Sequence, residues 1–507
     1  PAVCGRICNR RCEDACTRGT VDEAVAIDEV KRFIAQQDLD AETRFIPEKV
    51  IPKVDGEFTE KIAIIGGGPA GMSCAYYLAE KGYRPTVFEK ESRPGGMLMN
   101  AIPSFRLEKD VVEAEIDVLR QLGVEFRCGV EVGKDVTIAQ LREQGYKGFY
   151  VAVGLQSGGR LPVPGGDAEN VISGVDFMRD VNLHGKAALS GRVVVIGGGN
   201  IAADVARTAV RCGAENVSLY CLEAYDEMPM GEEDRSECER EGIAIYAGWG
   251  PREVTVEDGK ASGMAFVKCL KVKDEDGRFA PVYDENTVQT TPCGTVLFCI
   301  GQKVEWRDLL AGTRVEFNTN GTAKADPVTY QTAETDIFVG GDAYTGQKFA
   351  IDAIAAGKQG AVSLHRWVQG ATLTIGRDRR QFIELDKKNA LIAVDSYDNT
   401  PRQRIGYNDA LRKTFKDERV AFTAEQVKAE TARCLGCGAS VVDPNKCIGC
   451  GVCTTKCAFD AIHLHRERPE CSTMYACEDK MKAILPYMIK RNIKIKKAER
   501  RAKKAAK

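Results

Sequence analysis

One local pattern occurs twice in this 507-residue chain and sharply limits how it can fold. The short apolar run Ile62-Ala63-Ile64-Ile65 ends in Gly66-Gly67-Gly68-Pro69-Ala70-Gly71. An apolar segment, Met72–Lys81, runs to Gly82, and Thr86-Val87-Phe88 then leads to Glu89. Further on, Val193-Val194-Val195-Ile196 leads into Gly197-Gly198-Gly199-Asn200-Ile201-Ala202. There Ala203–Cys212 closes at Gly213, and Val217-Ser218-Leu219-Tyr220 is followed by Glu223. Short apolar runs bounded by glycines read as buried parallel strands. Each copy predicts strand, tight turn, helix, strand and acid, which points to an α/β fold.

The residue types at these spacings suit a dinucleotide. The first glycine permits the tight turn and the second lets the backbone approach a pyrophosphate. The third, or an alanine, lets helix and strand pack closely. The helix N-terminus offers free N–H groups to the phosphates, and the acid accepts hydrogen bonds from a ribose. These roles fall to Gly66, Gly68, Gly71 and Glu89 in the first copy, and to Gly197, Gly199, Ala202 and Glu223 in the second. Two dinucleotides in one chain suggest a flavin paired with a nicotinamide. Thr335–Asp342 adds a strand ending in Gly341-Asp342, before a helix candidate at Ala350–Gly360. A carboxylate there can accept hydrogen bonds from flavin ribityl hydroxyls.

Twenty cysteines are the second constraint. The start of the chain, Pro1–Cys16, is polar and basic with no apolar h-region, although the first residue is Pro rather than Met. No run of about 18 apolar residues predicts a membrane span. A reducing, cytoplasmic setting is therefore expected, where cysteines ligate metals or are simply buried. Cys447-x2-Cys450-x2-Cys453-x3-Cys457 has the bacterial ferredoxin spacing, with Ala458 where proline is usual. Cys434 and Cys437 lie upstream, and Cys471 and Cys477 downstream. Two [4Fe-4S] clusters are one assignment, with Cys447, Cys450 and Cys453 plus a distant cysteine on the first, and Cys434, Cys437, Cys457 plus another on the second. A single cluster with a vestigial partner, or zinc, are the others. Cys4, Cys8, Cys12 and Cys16 recur at intervals of four, in a stretch whose Gly5 and scarce apolar residues suggest loops. The remaining eight cysteines read as small buried apolar residues.

From Cys4 to about Trp367 the chain resembles the small (β) subunit of glutamate synthase and the corresponding region of dihydropyrimidine dehydrogenase. The resemblance rests on Cys-Gly-Arg-Ile-Cys at 4–8, Ile-Gly-Gly-Gly-Pro-Ala-Gly at 65–71 and Arg-Pro-Gly-Gly-Met-Leu at 93–98. It continues in Ile-Pro-Ser-Phe-Arg at 102–106, Gly-Gly-Gly-Asn-Ile-Ala-Ala-Asp-Val-Ala-Arg at 197–207, Glu-Met-Pro at 227–229 and Gly-Gly-Asp at 340–342. It implies two nested Rossmann-like domains, with an NAD(P) domain (161–299) inserted in a split FAD domain (61–160 and 300–372). Gly95, Gly96, Leu98 and Arg106 would approach the flavin, and Asn200 and Asp204 the nicotinamide. Further nucleotide contacts are implied at Pro69, Ala70, Lys90, Met97, Ala152, Gly154, Ile201, Gly301 and Ile351. The N-terminal helical region (1–45) would hold at least one [4Fe-4S] cluster, although Lys31 stands where relatives place a Gln or Glu ligand. A linker (46–60), a helical connector (373–430), a ferredoxin-like α+β domain (431–479) and a basic tail (480–507) complete the organisation. Tyr220-Cys221-Leu222-Glu223-Ala224 lacks the arginines that pair with a 2′-phosphate, so NADH is expected over NADPH.

The expected activity is that of an electron-input subunit. NADH would deliver two electrons to FAD, which would pass them singly through clusters to ferredoxin or a partner oxidoreductase subunit, in a hetero-oligomeric complex for which electron bifurcation is one option. No side chain is needed as a catalytic acid or base, and His184, His365, His463 and His465 show no triad or zinc spacing. A glutamate synthase small subunit and a non-enzymatic cluster scaffold are the alternatives. The net charge of −2 argues against a nucleic-acid partner, and the Lys/Arg run from Lys490 to Lys507 reads as a solvated tail or an acidic-partner contact.

Overall fold

The computed structural model describes residues 1–49, 58–185, 187, 189, 191–377, 397–437, 446–456, 462–464 and 476–505. It divides into two compact units, Pro1–Gly438 and Ala439–Lys507.

In the first unit the apolar runs become two five-stranded parallel sheets. The order in the first is Ile337–Val339, Tyr146–Val151, Lys61–Ile65, Thr86–Glu89, Glu125–Cys128. Ile64 sits opposite Val87 on one side and Tyr150 on the other, and Phe338 opposite Tyr150. Both faces are covered, which is why these strands read as unbroken apolar runs. One face carries helices Pro69–Glu80 and Ala350–Val368. Gly357 lets the two helices touch: a Cβ there would stand 2.3 Å from the Ala70 carbonyl oxygen.

The second sheet is inserted between strands Tyr146–Val151 and Ile337–Val339 of the first. Its order is Val171–Ser173, Thr295–Phe298, Arg192–Ile196, Asn216–Cys221, Ala244–Ala247. Helices Gly174–His184, Asn200–Arg211 and Glu232–Arg240 cover one face. A three-stranded antiparallel layer, Trp249–Glu257, Lys260–Lys273 and Phe279–Pro292, packs on the other. Tyr220 is clamped there, with the Phe266 ring stacked 3.7 Å away.

Several elements differ from expectation. The two helices after the glycine turns start earlier, at Pro69 and Asn200. Proline at a first helical position loses nothing, because its missing N–H would be unpaired anyway. The helix at Ala350 continues to Val368 because Gly360 lies inside it rather than ending it. A Cβ there would stand 2.2 Å from the Tyr150 ring. The stretch Cys4–Cys16, expected as loops, forms single helical turns at Cys4–Ile7 and Arg11–Asp14, separated at Arg10 by a left-handed φ of 57°. Gly5 is there for close packing: its Cβ would fall 2.8 Å from the Arg32 Cα of helix Ile27–Asp40.

The expected helical connector also differs. Among its described residues, helix occurs at Ala424–Ala432, with a short 3-10 turn at Asp409–Leu411 and a two-stranded ribbon of Gly406–Tyr407 with Arg419–Val420. This stretch fastens the N-terminal region. Glu430 accepts the Ala26 N–H at 2.8 Å and the Gln403 N–H at 2.7 Å, and pairs with Arg433 at 2.7 Å. Arg402 pairs with Glu13 at 2.5 Å and Arg32 with Asp417 at 2.9 Å. The Glu430 and Arg433 side chains are both fully buried. Arg433→Ala therefore leaves a carboxylate without its cation, which costs about 3–5 kcal/mol. In urea unfolding its midpoint falls, and Arg433→Lys, which keeps the charge, loses less.

In the second unit the described residues form a short helix, Val452–Lys456, and a long one, Lys480–Ala505, with Pro486 inside it. No helix among the described residues is long and apolar enough to cross a membrane.

Candidate functional site

Both glycine turns open onto one cavity of about 1080 Å³ in the first unit. From the first sheet it is lined by Gly66, Gly68, Pro69, Ala70, Glu89, Lys90, Gly96, Met97, Leu98, Ala152, Gly154, Gly341 and Asp342. From the second come Gly199, Asn200, Ile201, Asp204 and Gly301, with Arg106 between the two.

The backbone around the first turn is arranged as a cradle. Gly66 has φ +104°, and a Cβ there would lie 2.5 Å from the Ala152 carbonyl oxygen. Gly96, at φ +53°, faces Gly68 so closely that its Cβ would stand 2.9 Å from the Gly68 Cα. Glu89 is buried and accepts the Gly67 N–H at 2.7 Å and the Glu91 N–H at 2.9 Å. Burial raises its pKa, against the pull of those two donors. Burial likewise lifts the Asp342 carboxyl to about 6. This all-backbone cradle, ending on a helix N-terminus with carboxylates at two sides, fits the pyrophosphate, ribose and ribityl groups of an FAD. In the second turn a Cβ on Gly199 would meet no atom within 4 Å, so the backbone there faces the cavity openly.

Six expected residues do not line the cavity. Gly71 and Ala202 lie behind the turns, where helix meets strand; a Cβ on Gly71 would fall 2.0 Å from the Gly66 carbonyl oxygen. Gly95 packs on Met99, and Gly197 lies beneath the Cys299 carbonyl. The Glu223 carboxylate lies under the second turn, 2.7 Å from where a Gly198 Cβ would be. Ile351 is 39% exposed on the outer side of its helix.

Arg106 reaches across the cavity, from the loop after Asn100 to the second domain. Its Nε lies 2.7 Å from the Asp204 Oδ1, and it pairs with Asp234 and Glu237. Burial alone would lower its pKa, but the three carboxylates outweigh that and hold it well above the usual value. The segment before Arg106 is clamped as well. The Lys109 ammonium donates to the carbonyls of Leu98, at 2.8 Å, and Ile102. Asn182 donates to the carbonyl of Asn100 at 3.1 Å. Burial pushes the Lys109 ammonium down to about 8.

Residues that the sequence did not single out also line the cavity: Cys8's neighbours Asn9 and Arg10, then Asp234, Glu237, Trp306 and Arg419. They come from segments far apart in the chain, so no local spacing marks them. Cys8 itself lines the cavity. Lys31 lies within electrostatic reach of Cys4, Cys8 and Cys12 and is tied to Asp28 at 2.6 Å. Among the described residues no three His, Cys, Asp or Glu side chains gather closely enough to hold a metal ion. Cys434 and Cys437 end the first unit and are exposed, as are Cys447, Cys450 and Cys453 in the second. Cys457 and Cys471 lie outside the described residues. Of the scattered cysteines, Cys74, Cys212, Cys221, Cys238, Cys269 and Cys293 are buried, whereas Cys128 and Cys299 are partly so.

Two parallel sheets, one inserted in the other and each presenting a glycine turn to a shared cavity, define a two-dinucleotide oxidoreductase. The chain belongs to the pyridine nucleotide-disulphide oxidoreductase family, whose model matches residues 60–359. Residues 1–43 match the 4Fe-4S cluster domain II of dihydropyrimidine dehydrogenase, and residues 440–463 a 4Fe-4S binding domain. It is an oxidoreductase with FAD, NAD(P) and iron–sulfur clusters as its cofactors. One relative is the NADP(+)-dependent formate dehydrogenase subunit beta of Moorella thermoacetica, 37% identical over 86% of this chain and 65% of that one. The NAD-dependent dihydropyrimidine dehydrogenase subunit PreT of Escherichia coli K12 is 32% identical over 73% of this chain and 82% of its own. The glutamate synthase [NADPH] small chain of the same strain is 31% identical over 73% and 81%. The solved structure of FprA from Mycobacterium tuberculosis, 17% identical, superposes with a TM-score of 0.54 over 74% of this chain and all of its own, which shows the fold. The chain spans about two thirds of the Moorella subunit.

Proposed function

We propose that this chain is the electron-input subunit of a larger redox assembly, oxidising NADH and delivering electrons through FAD and [4Fe-4S] clusters to ferredoxin or a partner subunit. The observation that carries this reading is the single cavity lined by the Gly68 turn, the Gly199 turn and Cys8. Flavin, when bound, exchanges two electrons with a nicotinamide and one at a time with a cluster. The chain's own part is positional. Gly66, Gly68, Gly96, Glu89 and Asp342 would hold the FAD, and Gly199, Asn200 and Asp204 the nicotinamide cofactor, with Gly197 shaping the turn from behind. Cys4, Cys8, Cys12 and Cys16 would serve an N-terminal cluster. Cys434, Cys437, Cys447, Cys450, Cys453, Cys457 and Cys471 would serve two more.

Gly199→Val tests the reading. The Cβ it adds meets no protein atom within 4 Å, so the variant is expected to fold and keep its flavin. Added anaerobically, NADH bleaches the flavin absorbance of the parent chain and fails to bleach the variant. Equal bleaching in both overturns the assignment of the second turn.

NADH preference rests on Glu223, since a carboxylate repels a 2′-phosphate. Glu223→Gln is expected to lower the NADPH half-saturation concentration relative to that of NADH by about tenfold, equivalent to about 1.4 kcal/mol. The 31% identity to the glutamate synthase small chain favours a second reading, service to an amidotransferase. The ferredoxin-type segment at 440–463 weighs against it, and co-purification with a large amidotransferase would decide in its favour.

A further inference from the structure

The antiparallel layer on the second sheet does more than cover it. Its middle strand, Lys260–Lys273, brings two lysines to the end of strand Asn216–Cys221, where the acid of the second nucleotide unit stands. A cavity of about 280 Å³ lies there, separate from the large one, with Leu222, Ala224, Tyr225, Glu227, Lys268 and Lys271 among its walls.

Three features make this more than a surface dent. First, Gly248 is seated beside Glu223, its N–H donating to the Glu223 carbonyl at 2.8 Å. A Cβ on Gly248 would come within 3.0 Å of the Lys268 Nζ, so glycine there makes room for the ammonium. Second, Lys268 does not wave freely: its Nζ stands 5.0 Å from the Trp249 ring centroid, and the side chain is half-buried. An ammonium over an aromatic face is held in one region. Third, the strand that carries both lysines is fixed beside the Glu223 turn: the Cys269 N–H donates to the Gly248 carbonyl at 2.9 Å and its Sγ to the Lys271 carbonyl at 3.5 Å. Two lysines and one carboxylate, Glu227, line the cavity.

We propose that this cavity is a 2′-phosphate subsite, with Lys268 its principal cation, through which the chain takes NADPH as well as NADH. The proposal rests on the reading of the second glycine turn as the nicotinamide cofactor site. A dinucleotide laid across that turn places its adenosine ribose at the end of the following strand. A phosphate on the 2′-oxygen then points away from the Glu223 carboxylate and toward the hairpin. Lysine offers a point charge rather than the bidentate fork of arginine, so it tolerates a ligand without the phosphate.

The test uses the full flavin-loaded chain and two fragments, 5′-AMP and adenosine 2′,5′-bisphosphate, as competitors of flavin reduction by NADH. The ratio of their inhibition constants, bisphosphate over AMP, rises about tenfold in Lys268→Met, since an order of magnitude corresponds to about one desolvated charge contact. Lys268→Arg keeps the parent ratio. Lys268→Glu, read by the ratio of NADPH to NADH half-saturation, shifts it in the same direction and further. An unchanged ratio in Lys268→Met, with both fragments still competing, overturns the phosphate subsite and leaves the nucleotide site intact. If neither fragment competes with NADH in the parent chain, the nucleotide reading fails and the subsite falls with it.

Discussion

Gly71→Val yields a protein stripped of its flavin. The Cβ it introduces would sit 2.0 Å from the Gly66 carbonyl oxygen and 3.2 Å from the Ile64 side chain. The first contact is with backbone in the tightest part of the turn, and nothing there is the far end of a flexible side chain. Relief requires helix Pro69–Glu80 to move off strand Lys61–Ile65, which breaks the cradle that Gly66, Gly68 and Gly96 form. Overpacking a well-packed site costs about 1–3 kcal/mol even where neighbours can yield, and here they cannot. Two measurements check this: the flavin-to-protein ratio by absorbance, and the thermal midpoint. The ratio falls at least about tenfold, a loss of about 1.4 kcal/mol or more in flavin affinity. Full flavin content in Gly71→Val would show that the first turn does not hold it.

Arg106→Ala has the second large effect, and it carries a pH signature. Removing this guanidinium leaves Asp204 and Asp234 without the cation they share, while Glu237 keeps its pair with Arg207. Stranding a buried charge costs about 3–5 kcal/mol. Burial already raises the pKa values of Asp204 and Glu237, with Arg106 opposing the rise in both. Without Arg106 both rise further in the folded state. A carboxyl whose folded pKa exceeds its unfolded value penalises the fold most where it is ionised, at high pH. The penalty shrinks as pH falls through the raised folded value toward the ordinary carboxylate range. The gap between Arg106→Ala and the parent in urea unfolding therefore narrows as pH drops from about 8 to about 5. Asp204→Asn added to the variant narrows it at neutral pH too. A gap that stays constant with pH would show that the loss is one of packing.

The parts of this molecule that were legible in its sequence are those whose physics is local. Gly66 through Glu89 and Gly197 through Glu223 announce themselves because each role depends on neighbours a few residues away. The ferredoxin spacing of Cys447 to Cys457 is local in the same sense. The Arg106 cluster is not. Arg106, Asp204 and Asp234 meet only after two sheets have formed, and no spacing in the chain carries that information. The clasp of Arg402, Glu430 and Arg433 over residues 13–26 joins positions nearly the whole chain apart. Its short ribbon and turns have no periodicity to read, so composition alone suggested a polar helix. Ile351 shows the opposite failure. It stands one residue from Ala350, which does line the cavity, and one step along a helix turns a side chain by about 100°.

The insertion of one sheet into the other sets the order in which a growing chain can become a protein. Strand Tyr146–Val151 leaves the ribosome long before its neighbour Ile337–Val339, and everything in the second sheet emerges between them. The inserted domain is contiguous and can close as soon as Thr295–Phe298 appears. The outer domain meanwhile waits with an unpaired apolar edge, the kind of surface on which nascent chains stick to one another. Residues 1–43 wait longer still: made before the first sheet, they are fastened only when 402–433 arrives. Loading of FAD and of an N-terminal cluster would thus be late events in synthesis. A message truncated ahead of strand Ile337–Val339 would yield an intact inserted domain on an aggregating stump.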